Sequence, residues 1–322
     1  MRPPGFWRHG HSPPLVLLPF AALYAHATAR RVAQPGWTAP VPVICCGNPG
    51  AGGSGKTPVA LDLATRLLAR GRRPAFLTRG HGGSLSGPGL VDPSCHGAVD
   101  VGDEALLLAD LAPAYIGTNR AAGARHAISD GADVLVMDDG LQNPSLAKTL
   151  SLMVIDGGAG FGNGHVIPAG PLREKVTEAA HRCQAAVLIG PDATGAALQL
   201  PAALKLLTAT FVPDAADLAS LPRRSVAFAG IGRPAKFFET LRAAGHIPVD
   251  TLEFADHHPY TTADLTDLHR RASRLDARLV TTAKDFMRLP ADQRSAFAVL
   301  RIRLTWSDPA AIEALLDQAL GA

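Results

Sequence analysis

Val41-Pro42-Val43-Ile44-Cys45-Cys46-Gly47-Asn48-Pro49-Gly50-Ala51-Gly52-Gly53-Ser54-Gly55-Lys56-Thr57-Pro58 opens the regular part of the chain. Val41 to Cys46 is a short apolar run of the kind that forms a buried strand. Gly50 to Thr57 fits G-x-x-x-x-G-K-[ST] in full, and Pro58 to Arg70 carries Val59, Leu63, Leu67 and Leu68 at helical spacing. Strand, glycine loop and helix in that order make a phosphate cradle. Glycines let backbone N–H groups curl around phosphate oxygens, and the helix adds the positive end of its dipole. The expected nucleotide-binding residues are therefore Gly50, Ala51, Gly52, Gly53, Ser54, Gly55, Lys56 and Thr57. Lys56 would reach the β and γ phosphates, Thr57 would offer its hydroxyl to magnesium, and Pro58 sits where a missing N–H costs little. A glycine-rich turn without a ligand is the competing reading, and the flanking strand and helix weigh against it.

Outward from this unit the alternation continues. Arg73 to Thr78, Val134 to Met137, Leu152 to Ile155, Ala185 to Ile189, Ser225 to Ala229 and Leu279 to Thr282 read as short apolar strands. Asp103 to Leu111, Asn119 to Ser129, Lys236 to Ala244 and Ala263 to Arg274 read as helices between them. The fold class that follows is α/β: a mainly parallel sheet with helices on both faces, plus a smaller C-terminal α/β domain. Gly80 to Gly97 is rich in Gly, Ser and Pro and reads as an irregular excursion. The polar, proline-bearing stretch from Pro191 to Pro222 is the expected boundary, giving a nucleotide-binding domain over 34–205 and a smaller domain over 206–322.

Val134-Leu135-Val136-Met137 ends at Asp138-Asp139. A strand-end Asp is commonly a cap or turn residue, but beside a phosphate loop it becomes a magnesium ligand, so the expected metal set is Thr57, Asp138 and Asp139.

With 322 residues, 47% apolar and 18% charged, the chain can bury a sizeable core and is not broadly disordered. Its net charge of +3, from 31 basic and 28 acidic residues, is too small for bulk attraction to nucleic acid, and none is expected as a partner. Cys45 and Cys46 would point to opposite faces of a strand, and with Cys95 and Cys183 they show no C-x-x-C spacing. Reduced thiols and no zinc are expected.

Residues 1–33 stand apart as an N-terminal apolar helix. Arg2 and Arg8 precede the run from Leu15 to Ala25, which Pro19 interrupts, and Arg30 and Arg31 follow it. The run falls short of the roughly 20 residues that span a bilayer. Three readings remain open: a cleaved signal segment, for which Ala25-His26-Ala27 has the A-x-A form; a helix lying in the membrane interface; and a helix packed on its own domain. The ATP-type loop that follows counts against the first.

Among proteins with such a loop, a partitioning-type ATPase switch would carry a second lysine where Ala51 stands. A GTPase would show [NT]-K-x-D, whereas Thr282-Ala283-Lys284-Asp285 has nothing between its Lys and Asp. A small-molecule kinase remains, and it needs a base for a hydroxyl proton and positive charge for the moving phosphoryl group.

Further motifs occur in order: Gly47-Asn48, Thr78-Arg79-Gly80, Val101-Gly102-Asp103-Glu104, Asn119-Arg120, Asp138-Asp139-Gly140-x-Gln142, Gly160-Phe161-Gly162-Asn163-Gly164, Pro168-Ala169-Gly170-Pro171-Leu172-Arg173-Glu174, Phe254-x-Asp256-His257 and Thr282-x-Lys284-Asp285. From about Pro42 to Asp285 the chain resembles the lipid A 4'-kinases, the tetraacyldisaccharide 4'-kinase family. The resemblance implies ATP as donor, Mg2+, and a lipid-linked disaccharide 1-phosphate phosphorylated at its 4'-hydroxyl on the cytoplasmic face of the inner membrane, with no obligate protein partner. It also implies an active site between two domains, which brings Asp103 and His257 forward as a catalytic base pair beside Lys56. Glu104, Arg120, Arg173 and Glu174 become candidate substrate or phosphate contacts. Leu141 and Asn143 depart from the family's aromatic and histidine, and His81 from its tyrosine, while Lys56, Thr57, Asp138 and Asp139 match. A P-loop kinase for another sugar or lipid, and a membrane-recruited ATPase switch, are the alternatives.

Overall fold

Residues 43–47 are buried throughout, as a continuous apolar run demands when both faces of a sheet are covered. The computed structural model describes residues 4–321; Arg2, one of the expected flanking charges, lies outside the described residues. In chain order the strands are β1 Val43–Gly47, β2 Pro74–Thr78, β3 Gly89–Leu90, β4 Ala114–Ile116, β5 Val134–Asp138, β6 Leu150–Asp156, β7 Ala185–Ile189, β8 Lys205–Pro213, β9 Ser225–Ala229, β10 Asp250–Glu253, β11 Arg278–Thr282, β12 Phe297–Leu300 and β13 Ile302–Trp306. The larger sheet runs β13-β8-β7-β6-β1-β5-β2-β4-β3 and the smaller β10-β9-β11-β12. All neighbours pair in parallel except β13 with β8 and β3 with β4.

Side-chain alternation along β1 divides the core. Ile44 and Cys46 face the helix Lys56–Ala69 through Val59, Leu63 and Leu67, and the C-terminal helix Pro309–Leu320 closes the same layer with Ile312 and Leu316. Val43 and Cys45 face the helix Arg120–Ser129 through Ala124 and Ala127. The adjacent cysteines thus do point to opposite faces, and all four thiols are free.

β1 lies between β5 and β6, so the order of strands reverses there. A reversal of this kind opens a crevice at the carboxyl ends of the strands. The loop after β1 occupies it.

The expected division at 205/206 does not follow sheet membership. β8 falls inside the stretch read as a linker, and β13 with the helix Pro309–Leu320 returns to the larger sheet after the smaller one is complete. β8 exposes alternate residues and pairs with a segment almost a hundred positions away, neither of which gives a local apolar run.

At the N-terminus, the helix Leu18–Val32 buries Ala21, Ala25 and Thr28 against the larger sheet's outer layer. Leu15, Val16, Phe20 and Leu23 stay outside, 79%, 70%, 59% and 69% exposed. No helix among the described residues is long and apolar enough to cross a membrane.

Candidate functional site

The crevice loop is braced before any ligand enters. Asn48 is buried, donating from Nδ2 to the Val154 carbonyl of β6 and accepting from the Gly50 amide. The Ala51 amide donates to the Pro171 carbonyl at 2.8 Å and the Arg173 amide to the Pro49 carbonyl at 2.6 Å, so the proline-rich turn 168–173 holds the loop from outside. Gly55 has φ +87°, and a Cβ there would lie 2.8 Å from Ile189 Cδ1 and 2.9 Å from Phe211 Cζ. Only glycine satisfies both the conformation and the space. The helix Lys56–Ala69 follows with no side-chain cap, leaving its first-turn amides facing the crevice. Lys56 Nζ reaches back to the Gly52 carbonyl at 3.3 Å and to Asp139 Oδ1 at 3.5 Å.

Asp138 closes β5. Its Oδ2 accepts from the Thr57 hydroxyl at 2.9 Å, while its buried Oδ1 has no hydrogen-bond partner. Burial, with the charge of Glu104 adding to it, lifts this carboxyl to about 7. Asp139, in the left-handed region at φ +53°, turns to Lys56 and to Arg173, whose Nη1 lies 3.0 Å from Oδ2. Burial works to raise the Asp139 carboxyl, and those two cations outweigh it and hold it low. A hydroxyl–carboxylate pair with an orphaned oxygen suits a hard, oxygen-seeking divalent cation. No cluster of three or more His, Cys, Asp or Glu ligands exists among the described residues.

Glu174 is almost fully buried behind this edge. It accepts from Gln142 Nε2 at 2.8 Å and Arg182 Nη2 at 2.6 Å, and Gln142 Oε1 in turn accepts from Arg173 at 3.3 Å. Its place is that of a brace for Gln142 and Arg182, and Gln142 in turn meets Arg173. Arg120 is buried, donates to the Gly117 carbonyl, and keeps its Nε unpartnered.

A second cluster joins the two sheets. Asp103, 3% exposed, starts the helix Asp103–Ala109, and its Oδ2 lies 3.0 Å from His257 Nδ1 and 3.1 Å from Arg288 Nε. His257 sits in the loop after β10 at φ +56°, its amide fixed to the Gly230 carbonyl at 3.0 Å. The hydrogen bond with Asp103 raises the imidazole above its ordinary 6.5. For Asp103, burial is the largest influence and is outweighed by His257, Lys284 and Arg288, leaving the carboxyl below 3.8. His258 instead meets Asp264, which caps the helix Thr262–Arg274. Glu104 pairs with Lys284. Asp285 is fully buried and accepts from the Gly230 amide at 2.8 Å and the Tyr260 hydroxyl at 2.6 Å, and it meets Arg288 at 3.0 Å.

Two arginine pairings escaped the sequence. Arg288 links Asp285 to Asp103, and Arg233 reaches Asp156 at the end of β6. Each is an ordinary Arg in an ordinary helix start or end, so only the tertiary pairing distinguishes it.

A phosphate loop seated at the strand-order reversal of a parallel sheet places the chain among the P-loop nucleotide-binding proteins. The family model described as tetraacyldisaccharide-1-P 4'-kinase, LpxK, matches residues 14–321, and the chain belongs to that family. It is 54% identical to the tetraacyldisaccharide 4'-kinase of Gluconacetobacter diazotrophicus over 99% of this chain and 98% of the relative. With the enzyme of the same name from Rhodospirillum centenum the identity is 52%, covering 99% and 97%. A crystal structure of LpxK from Aquifex aeolicus in complex with ATP aligns with TM-score 0.73 at 22% identity, covering 95% of this chain and 98% of that one, which shows the shared fold.

Proposed function

We propose that this protein transfers the γ-phosphate of ATP to the 4'-hydroxyl of tetraacyldisaccharide 1-phosphate, giving the 1,4'-bisphosphate of lipid A biosynthesis. The observation that carries the reading is the 3.0 Å pairing of His257, in the loop after β10, with Asp103, at the start of the helix Asp103–Ala109. A nucleotide switch needs no such pair, whereas transfer to an alcohol needs an acceptor for its proton. Asp103 orients the imidazole through Nδ1, leaving Nε2 to take the hydroxyl proton. His257 serves in this role rather than His258, which is engaged by Asp264.

Lys56 and the loop amides bind and orient the phosphates, and Arg173, held by Asp139 and Gln142, adds positive charge at the same edge. Thr57 and Asp138 would hold Mg2+, with Asp139 beside them; bound there, the ion neutralises phosphate charge and polarises the transferred group. The smaller sheet, with its helices, forms a separate unit over about 214–301, and the acceptor enters between it and the phosphate loop.

The acceptor's acyl chains keep it in a bilayer. The outward Leu15, Val16, Phe20 and Leu23, next to Arg30 and Arg31, support an interfacial helix that sits on the inner membrane's cytoplasmic face while its small residues pack on the larger sheet. Release of ADP by purified protein with MgATP tests the reading. ADP formation that requires the disaccharide lipid supports it, and equal release without acceptor would make the protein an ATPase.

A further inference from the structure

The helix Pro234–Ala243 of the smaller unit begins against its own dipole. It has no side-chain cap hydrogen bond and no acidic residue in its first turn, and Arg233 and Lys236 stand there instead. Cations at a helix N-terminus are unfavourable unless a carboxylate answers them. That carboxylate comes from the other sheet. Arg233 Nη2 donates to Asp156 Oδ2, and Lys236 Nζ lies 3.8 Å from the same oxygen. Asp156 ends β6 and is buried, its Oδ1 fixed by the Gly158 amide at 2.9 Å. A Cβ at Gly158 would lie 3.3 Å from Arg233 Nη1, so the turn is bare where the guanidinium arrives.

Both ends of this pairing lead to the site. Two residues before Asp156, the Val154 carbonyl accepts from Asn48, which braces the phosphate loop. Lys236 Nζ also stands 5.5 Å from the centroid of Phe211, the ring that closes off Gly55. Three residues before Arg233, the Gly230 carbonyl holds the His257 amide at 3.0 Å, and the Gly230 amide donates to Asp285 at 2.8 Å. The chain passes between the units after Pro213 and before Ile302, and those two residues pair, so the covalent attachment is gathered at one edge. Ion pairs then reach across on either flank of β1: at Asp156 on β6, and at Asp103, which heads the helix leading into β4. A body attached at one edge is free to tilt, and contacts on both flanks of the crevice remove that freedom.

We propose that Asp156, Arg233 and Lys236 are positioning residues, a charged tie that sets the smaller unit across the phosphate loop and so places His257 against the acceptor hydroxyl. Arg233 is the main strut, and Lys236 keeps part of the tie when Arg233 is lost. The placing of His257 rests on the kinase reading; the tie between the units does not.

Both cationic side chains are half-buried, so full-length Arg233→Ala and Arg233→Ala/Lys236→Ala keep the fold, and matching melting curves verify that. In transfer assays with calorimetric MgATP titration, kcat falls about tenfold in the first and about 100-fold in the second, while ATP affinity stays within about threefold and Arg233→Lys restores the rate. Added to His257→Ala, the double replacement costs less than about threefold more, because a tie that acts through His257 has nothing left to place. A second measurement needs no turnover. Spin labels on Cys95, exposed where the other three cysteines are buried, and on Ile247→Cys, exposed on the smaller unit, give a narrow distance distribution with the tie intact and a broad one in the double replacement. A kcat within about threefold of wild type with an unchanged distance distribution overturns the proposal. So does a rate loss that multiplies in full with His257→Ala, or a parallel loss of ATP affinity, either of which makes Arg233 a direct substrate contact. Full transfer by His257→Ala alone would instead defeat the base assignment, and the distance distribution then decides the tie by itself.

Discussion

Asp103→Asn removes one charge from the pair that joins the two sheets and changes little of its shape. The carboxylate is 3% exposed and serves both His257 Nδ1 at 3.0 Å and Arg288 Nε at 3.1 Å. Breaking a buried ion pair costs about 3–5 kcal/mol when the partner is stranded. Arg288 is not stranded, because Asp285 holds it at 3.0 Å, so a loss of about 1–3 kcal/mol is expected. The folded His257 lies above 6.5, so its share of stability is full below pH 6.5 and fades as pH rises through the folded value. The folded Asp103 lies below 3.8, so its share is present above pH 3.8 and fades as pH falls through that lower value. Between those limits both contribute, and the variant should show its largest drop in melting temperature there. The kinetic effect is larger. A misoriented, less basic imidazole should lower kcat by about 100- to 10,000-fold, or about 2.7–5.5 kcal/mol of barrier. Because the Asp103 hydrogen bond is the main influence raising His257, the rising limb of the pH–rate profile should sit above pH 6.5 in wild type and move down in the variant. Stopped-time transfer assays from pH 5.5 to 9 with parallel ATP titrations read all of this. An unmoved limb, or a rate loss matched by a loss of ATP affinity, would refute the base assignment.

Lys56→Ala should reduce turnover by at least about 100-fold with the thermal midpoint nearly unchanged, since among the described residues its ammonium contacts only the loop and Asp139; normal turnover would count against the phosphate-loop account. Gly55→Ala forces a side chain into a left-handed position against Ile189 and Phe211, and calorimetry should show MgATP binding weakened about tenfold or more. Replacing Leu15, Phe20 and Leu23 together by Ser should release the protein from anionic vesicles in a sedimentation assay and slow turnover on long-chain acceptor more than on a soluble analogue, because these side chains face outward and the buried Ala21 and Ala25 are retained. Equal losses on both acceptors would return the segment to a packing role.

Local chemistry made much of this molecule legible beforehand. The phosphate loop, the strand ending at Asp138 and the helix starting at Asp103 each announce themselves within a few residues, and the strand Ser225–Ala229 and the helix Thr262–Arg274 lie within one residue of their expected bounds. What failed was non-local. β4 is too short to show a period, β8 reads as polar linker until β13 pairs with it, and the last helix packs on a sheet most of whose strands lie far earlier in the chain. The site divides the same way. Motif order brought Asp103 and His257 forward together, yet nothing in the sequence distinguished Arg288 as the bridge between Asp103 and Asp285, or turned Glu174 inward as the brace for Gln142 and Arg182. A side chain's chemistry is local, whereas its partner is set by packing.

The central claim concerns where the phosphate goes, so the decisive measurement is the position of the new ester. Purified protein incubated with MgATP and tetraacyldisaccharide 1-phosphate should give a lipid carrying one added phosphate, and phosphorus–proton correlation NMR should join that phosphorus to the proton on the 4' carbon of the distal sugar. Coupling to any other ring position, or a product with its phosphate added to the existing one as a pyrophosphate, would contradict the account.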